Sequence, residues 1–413
     1  MQRKVYNLGI SVLKAQCTPS RSALMTGRYP VRSGTHTVAL GGEEGGLVAW
    51  ERTMGDVLSE EGYATACIGK WHIGAEKGRW PTDHGFDEFY GPPRSYDECM
   101  WERDPWYDEK IVPPAYIYEG TKGQDVKPAK GKKLTWELKS NIDLEYLERA
   151  DTFMTKAVRI GHPFYLYYNP TLMHLPMEPR KEFKGMSKNG NYADCLLQLD
   201  HDFGVLLDML KKLKIENNTI VVLAGDNGPE EMLLHRGDSG QFEGSYFASG
   251  EGGIRTPFII RWPGKIIPGK SNEMLHITDM YPTLLHWAGA EVPKDRIIDG
   301  IDQRSFFEGK QEKTNREGLI VFVGQDVHAV KWRNFKLKIR EQRTFFDPVL
   351  KLGFPKLVNL VTDPKEKEPV NHEHLSSWVI GPCAKMIKEY MESLKKEEPI
   401  PMGSPIGYVP KKN

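Results

Sequence analysis

Between residues 54 and 288, short apolar runs alternate with longer stretches of helical periodicity, an order that few folds accept. Thr53 can cap a helix over 54–61 that Gly62 stops. An apolar run follows at 63–68. Leu144, Leu147, Phe153, Ala157 and Ile160 then repeat at helical spacing, ahead of a buried strand at 164–168. The pattern recurs. Leu196, Leu199, Phe203, Leu206, Leu207 and Leu210 mark a helix over 192–213, and a near-continuous apolar strand follows at 219–224. Another strand is expected at 257–261 and a helix at 279–288. The expected class is α/β, with a mainly parallel sheet sandwiched by helices.

Lys70, His174 and Asp226 each fall just past the C-terminal end of an expected strand. Open α/β sheets bind ligands at that edge, so one shared site is expected there. From about residue 319 the pattern changes to short strands at 320–323, 329–332, 335–339 and 356–360. A closing helix at 378–395 and a Pro-rich, basic tail at 399–413 complete the chain. We expect a first domain over 1–317 and a small C-terminal antiparallel α+β subdomain over 318–413. Residues 92–135 form a long insertion with Pro92, Pro93, Pro113 and Pro114 and several Trp and Tyr, expected as a lid or wall over a pocket, with a mobile basic end at 122–133.

The chemistry centres on residues 17–28, Cys-Thr-Pro-Ser-Arg-Ser-Ala-Leu-Met-Thr-Gly-Arg. Thr18, Pro19 and Ser20 suit a helix entry, and Gly27 a stop. A thiol there sits beside backbone N–H groups and the positive end of a helix dipole, which favours an anion or oxyanion. Arg21 lies one turn further on. A lone cysteine at a loop-to-helix junction is more often simply buried.

The whole run, Cys17-x-Pro19-Ser20-Arg21-x-x-Leu24-x-Thr26-Gly27-Arg28, resembles the signature of the type I sulfatases, formylglycine-dependent members of the alkaline phosphatase superfamily. The resemblance implies that Cys17 is converted to formylglycine by a formylglycine-generating enzyme. One hydroxyl of its hydrate would attack the sulfur of an aryl or carbohydrate sulfate, and the other would re-form the aldehyde and expel sulfate. Gly69-Lys70-Trp71-His72 is similar to the family's Gly-Lys-Trp-His motif, implying that Lys70 contacts the sulfate and His72 holds the formylglycine hydroxyl. His174 matches a substrate-binding or leaving-group histidine, and Arg21 is expected near the formylglycine and its metal. Asp226 and Asn227 look like a metal pair. They offer hard oxygens for Ca²⁺, or Mg²⁺, together with the oxygen made from Cys17. Glu251 to Pro257 also matches a sulfatase segment, but the lysine that often precedes it is missing. His235 or Arg236 could supply that charge. Arg28 reads as structural.

One part of the family pattern is absent. Sulfatases begin with a strand ending in an Asp-Asp pair that binds the metal, whereas the sixteen residues before Cys17 contain no Asp or Glu. Metal affinity should fall severely. Three explanations stand: a truncated gene model, which we expect, an impaired sulfatase-like protein, or a short form completed by a partner. A phosphatase or phosphodiesterase of the same superfamily is the other enzyme reading, but it would normally carry Ser or Thr where Cys17 stands.

Composition adds exclusions. Lys plus Arg and Asp plus Glu are both 56, so the net charge of zero argues against a nucleic-acid partner. No membrane span is expected, and 1–16 lack the apolar core of a secretory signal, although relatives are commonly exported. Five cysteines at irregular spacing make no disulfide framework or zinc motif. Cys67 and Cys195 are expected in the core, and Cys99 and Cys383 have no assignable role.

Overall fold

The computed structural model describes residues 16–38, 45–231, 237–370 and 374–411, and the backbone of Tyr6–Ser11. In chain order the elements up to residue 212 are β1 (Tyr6–Ser11), α1 (Cys17–Thr26), α2 (Met54–Glu60), β2 (Ala64–Gly69), β3 (Glu88–Gly91), β4 (Tyr116–Thr121), β5 (Lys127–Lys133), α3 (Trp136–Ile160), β6 (Phe164–Asn169) and α4 (Gly190–Lys212). Then come β7 (Val221–Ala224), α5 (Glu251–Ile254), β8 (Arg255–Arg261), β9 (Gly269–Ser271), α6 (Met280–Trp287), α7 (Arg304–Phe307), β10 (Gly318–Val323), β11 (Asp326–Trp332), β12 (Phe335–Glu341), β13 (Leu350–Asn359) and α8 (Ile380–Lys396).

The chain divides into two compact units. A split unit joins Met1–Glu43 to Ile220–Glu231 and Gly237–Asn413, and a continuous unit contains Glu44–Thr219.

The continuous unit is built on a five-stranded sheet in the order β5-β4-β3-β2-β6. β2 pairs in parallel with both β3 and β6, with Ala64 opposite Phe164 and Gly69 opposite Asn169. α3 packs on this parallel part through Ile142, Tyr146, Leu147, Ala150, Phe153, Met154 and Ala157, each buried. Each large apolar side chain so removed from water contributes roughly 1.5–3 kcal/mol. Leu144 and Ile160, expected on that stripe, are instead exposed. The helix begins a full two turns earlier, at Trp136 with Thr135 as its cap, and its buried face follows 3.6 residues per turn from there.

The split unit holds a four-stranded sheet in the order β7-β8-β1-β9 and an antiparallel sheet β10-β11-β12-β13. Phe258, Ile260, Leu275, Ile277, Met280, Phe306 and Phe307 form the core beside the first, and Ala23 brings α1 onto it. α8 packs on β10 and β11. Tyr29 and Val31, just after α1, join Leu319, Val321, Phe322 and Tyr390 in a second core.

The α/β layering and the C-terminal antiparallel sheet are as expected, but the sheets are mixed. Among the described residues, parallel pairing is confined to β3-β2-β6 and to β1–β9. β8 runs antiparallel to both β7 and β1, and β4 and β5 form a hairpin antiparallel to β3. That hairpin comes from the insertion, whose end at 122–133 was expected to be mobile. Lys and Gly hid a strand that is held by backbone pairing to β4 and not by an apolar face.

Candidate functional site

Cys17 is the first residue of α1, and no side chain caps the helix above it. Thr18 and Ser20, expected as cap hydroxyls, lie inside the helix. Gly27 ends it in the left-handed conformation, φ 69°, with its N–H on the carbonyl of Ala23 at 2.9 Å. Glycine is required there twice over, since a Cβ would also lie 2.7 Å from the Tyr281 ring.

The loop that leaves β7 faces this helix start. Cys17 Sγ donates to Asn227 Oδ1 at 3.7 Å. Arg21, on the same helix, donates from Nε and Nη2 to Asp226 Oδ2 at 3.2 and 3.0 Å. The loop is pinned from behind, where Gly228 N–H donates to the carbonyl of Gly253 and the Thr256 hydroxyl to that of Gly225. The split unit therefore brings Cys17, Arg21, Asp226 and Asn227 together across more than two hundred residues of sequence. Arg28 does not join them. It is buried, donating to the carbonyl of Ile297 and to Glu397 Oε1 at 2.6 Å, which is a structural role.

Asp226 and Asn227 fit a hard cation in kind, as adjacent oxygen donors beside Cys17. They do not fit in number. No three His, Cys, Asp or Glu side chains gather as a metal group among the described residues. Two oxygens fall short of the roughly six to eight that Ca²⁺ takes, and Arg21 already supplies a positive partner to Asp226.

In the continuous unit, Lys70 leaves the end of β2. Gly69 allows this exit, because a Cβ there would lie 1.8 Å from the Asn169 carbonyl oxygen, and its φ is 98°. Lys70 Nζ donates to Ser95 Oγ at 3.1 Å, and Ser95 Oγ lies 3.1 Å from His174 Nε2. His174 Nδ1 is 3.0 Å from the carbonyl oxygen of Leu175. A carbonyl only accepts, so Nδ1 carries the hydrogen and Nε2 accepts from Ser95. Burial, then the Lys70 charge, push His174 down to about 4, so the ring is neutral near pH 7. Asp97, two residues after Ser95, stays below the usual carboxylate range. Burial opposes this, but His174, the Ser95 hydroxyl and Lys70 outweigh it. His72 is mostly buried and sits at φ 61°, a left-handed conformation that costs a non-glycine residue about 1 kcal/mol or more. Its N–H donates to the carbonyl of Pro93.

Sequence reasoning missed Ser95, Asp97, Lys139 and Asp143. Ser95 precedes a short 3₁₀ helix, Tyr96–Arg103, without capping it, so its hydroxyl is spent on Lys70 and His174. The insertion thus supplies a member of this group. Lys139 is fully buried and donates to the carbonyls of His174 and Pro176 at 2.8 and 2.6 Å. Asp143, one turn on, accepts from the N–H and hydroxyl of Thr171 at 2.9 and 2.6 Å. Two charges one turn apart on the apolar stripe of α3 were the available signal. His235 and Arg236 lie outside the described residues.

All five cysteines are buried, and none of them forms a disulfide. Burial raises the Cys99 and Cys383 thiols to about 11 and Cys195 to about 12, as suits inert core groups. No helix among the described residues is long and apolar enough to cross a membrane.

The sequence profile of the sulfatase family matches residues 10–290, and that of the C-terminal region of N-sulphoglucosamine sulphohydrolase matches 237–396. Arylsulfatase A of Bos taurus is 37% identical over 302 residues, covering 69% of this chain and 57% of the relative. N-acetylgalactosamine-6-sulfatase of Canis lupus familiaris is 33% identical over 333 residues, covering 78% of this chain and 62% of the relative. The chain thus spans less than two thirds of the length of these curated relatives. The crystal structure of the PsFucS1 sulfatase from Pseudoalteromonas sp. superposes with a TM-score of 0.90 at 30% identity, covering 97% of this chain and 85% of that one.

Proposed function

This chain belongs to the sulfatase family, and we propose that it hydrolyses an aryl or carbohydrate sulfate ester with a formylglycine made from Cys17. The observation that carries the reading is the position of Cys17, first residue of α1, with Asn227 against its side chain and Arg21 one turn on. Formylglycine there supplies a hydrated aldehyde, one hydroxyl to attack sulfur and a second to release sulfate. The helix start favours the negative charge that develops beside it.

Lys70, by resemblance, holds a sulfate oxygen. A sulfate there offsets the Lys70 charge that depresses His174, so the ring gains proton affinity as substrate binds. Free His174 is neutral, with its Nε2 as acceptor. With substrate bound, it can take up a proton and pass it to the leaving oxygen. Ser95 holds the ring in the tautomer this needs. His72 is proposed to hold the hydroxyl at position 17. Asp226 and Asn227 would be two oxygen ligands of a Ca²⁺ or Mg²⁺. A sugar as the organic part is supported by the similarity to N-acetylgalactosamine-6-sulfatase.

The test is to co-express the chain with a formylglycine-generating enzyme, measure conversion of the Cys17 peptide by mass spectrometry, and assay an aryl sulfate with Ca²⁺. Turnover that vanishes in Cys17→Ser is expected. Full conversion with no turnover of any aryl or sugar sulfate would defeat the hydrolase reading. It would favour the impaired form.

A further inference from the structure

The Ser95 hydroxyl, in the continuous unit, has a single hydrogen and stands among three polar groups. Lys70 Nζ donates to its oxygen at 3.1 Å, so the hydroxyl keeps its own hydrogen to give. His174 Nε2 lies 3.1 Å from the same oxygen, and the Asp97 carboxyl is a second acceptor within its reach. One hydrogen cannot serve both. In the neutral ring Nδ1 gives its hydrogen to the Leu175 carbonyl and Nε2 accepts, so the hydroxyl points at His174. Asp97 is then short of a donor. Its Oδ1 is enclosed by protein and has no hydrogen-bond partner among the described residues. A buried polar atom left so is unfavourable.

The carboxylate gains a donor when His174 gains a proton. Nε2 then carries a hydrogen of its own, and a hydroxyl still aimed at it would set hydrogen against hydrogen. The hydroxyl turns, and Asp97 is the acceptor it turns to. Ser95 neither gains nor loses a proton in this turn. The added proton stays on Nε2 until the leaving oxygen takes it. Charge acts in the same direction. Lys70 and Lys139 oppose a positive ring, and Asp97 favours it. Glu98, the next residue but one after Tyr96, is held by Arg94 at 2.7 Å.

We infer that Asp97 is a positioning residue for the proton of His174, taking the Ser95 hydrogen when the ring is protonated and balancing the charge that appears there. The inference rests on the reading of His174 as the donor to the leaving oxygen.

Histidine labelled with carbon-13 at Cε1 allows the ring to be titrated by NMR, and the His174 signal is identified by its loss in His174→Gln. Lys70→Met removes a cation that opposes the positive ring, and so moves the titration away from strongly acid pH. In that background Asp97→Asn, whose amide oxygen still takes the hydrogen but bears no charge, should lower the His174 value by about one unit. Asp97→Leu, which can do neither, should lower it further, and Asp97→Glu should restore most of the loss. An unchanged value in Asp97→Asn, or equal shifts in the Asn and Leu variants, overturns the inference. The chain that keeps Lys70 and carries formylglycine gives a second readout. The ring acts in its protonated form, so kcat for an aryl sulfate falls on the alkaline side as that proton is lost. Asp97→Asn should move this limb about one unit to lower pH, with little change in KM. A limb that stays in place while turnover persists overturns the inference and leaves the hydrolase reading standing. The expected NMR shifts in a chain without turnover keep the hold of Asp97 on His174 and defeat the hydrolase reading.

Discussion

His174 is where a single proton matters most. Its folded value, about 4, lies below the ordinary 6.5 because the ring is buried and faces Lys70. Between those values the unfolded chain binds one more proton than the folded chain, so stability is fully present above about pH 6.5 and falls as pH drops towards 4. The shift corresponds to about 3 kcal/mol. His328, lowered to about 4 by burial and then Arg340, has the same sign. Urea denaturation at pH 7.5 and 4.5 should therefore show a smaller pH effect in His174→Gln and smaller still with His328→Gln. An unchanged pH effect would show that His174 is charged in the fold. Ser95→Ala removes the hydroxyl between Lys70 and His174, and we expect kcat to fall about tenfold to a hundredfold with a small change in KM. Lys70 and His174 were legible as loop residues at strand ends. Ser95 was not, because a serine in a polar insertion carries no pattern until the neighbouring strands fix where it points.

Among the elements, α3 does more than cover the sheet. Lys139 and Asp143 reach from its buried face to the loop that holds His174. Lys139→Met leaves two carbonyls without their donor, and a loss of about 2–4 kcal/mol is expected in urea denaturation. Turnover should fall even where the variant is fully folded, since the His174 loop loses its anchor. Equal stability and turnover in the variant would remove that role. Periodicity located α2, α3, α4 and α6 to within a few residues, except that α3 starts earlier, at a cap hidden behind basic residues. It could not reveal strand direction. The apolar run of β8 reads the same in either sense, and only its partners β1 and β7 show that it is antiparallel.

At the scale of the molecule, the split unit is closed by charge as well as by its cores. Arg28 and Glu397 are both buried and meet at 2.6 Å, joining the turn after α1 to the end of α8. Glu251 is buried too. Burial would raise its carboxyl, but Lys331 and Lys336 pull it down to about 2, so its stabilisation is fully present above about pH 4.5 and is lost progressively as pH falls from there through about 2. Arg28→Leu should cost about 3–5 kcal/mol, because Glu397 is then buried without its partner. A thermal midpoint within a degree of the parent's would refute this. None of these pairs was visible in sequence, since each joins residues separated by tens to hundreds of positions whose charges read as ordinary surface. The C-terminal sheet was visible, because tight turns and alternating residues mark a meander locally.

The continuous unit lies inside the sequence of the split one, and this sets a clock. Cys17 meets Asn227 only after 210 further residues exist. At about 5–20 residues per second of synthesis, that is a delay of roughly 10–40 s. For that interval the thiol cannot yet be enclosed by its later neighbours, and once they arrive it is buried. An enzyme that alters this side chain meets it least obstructed during that interval, before the fold closes around it.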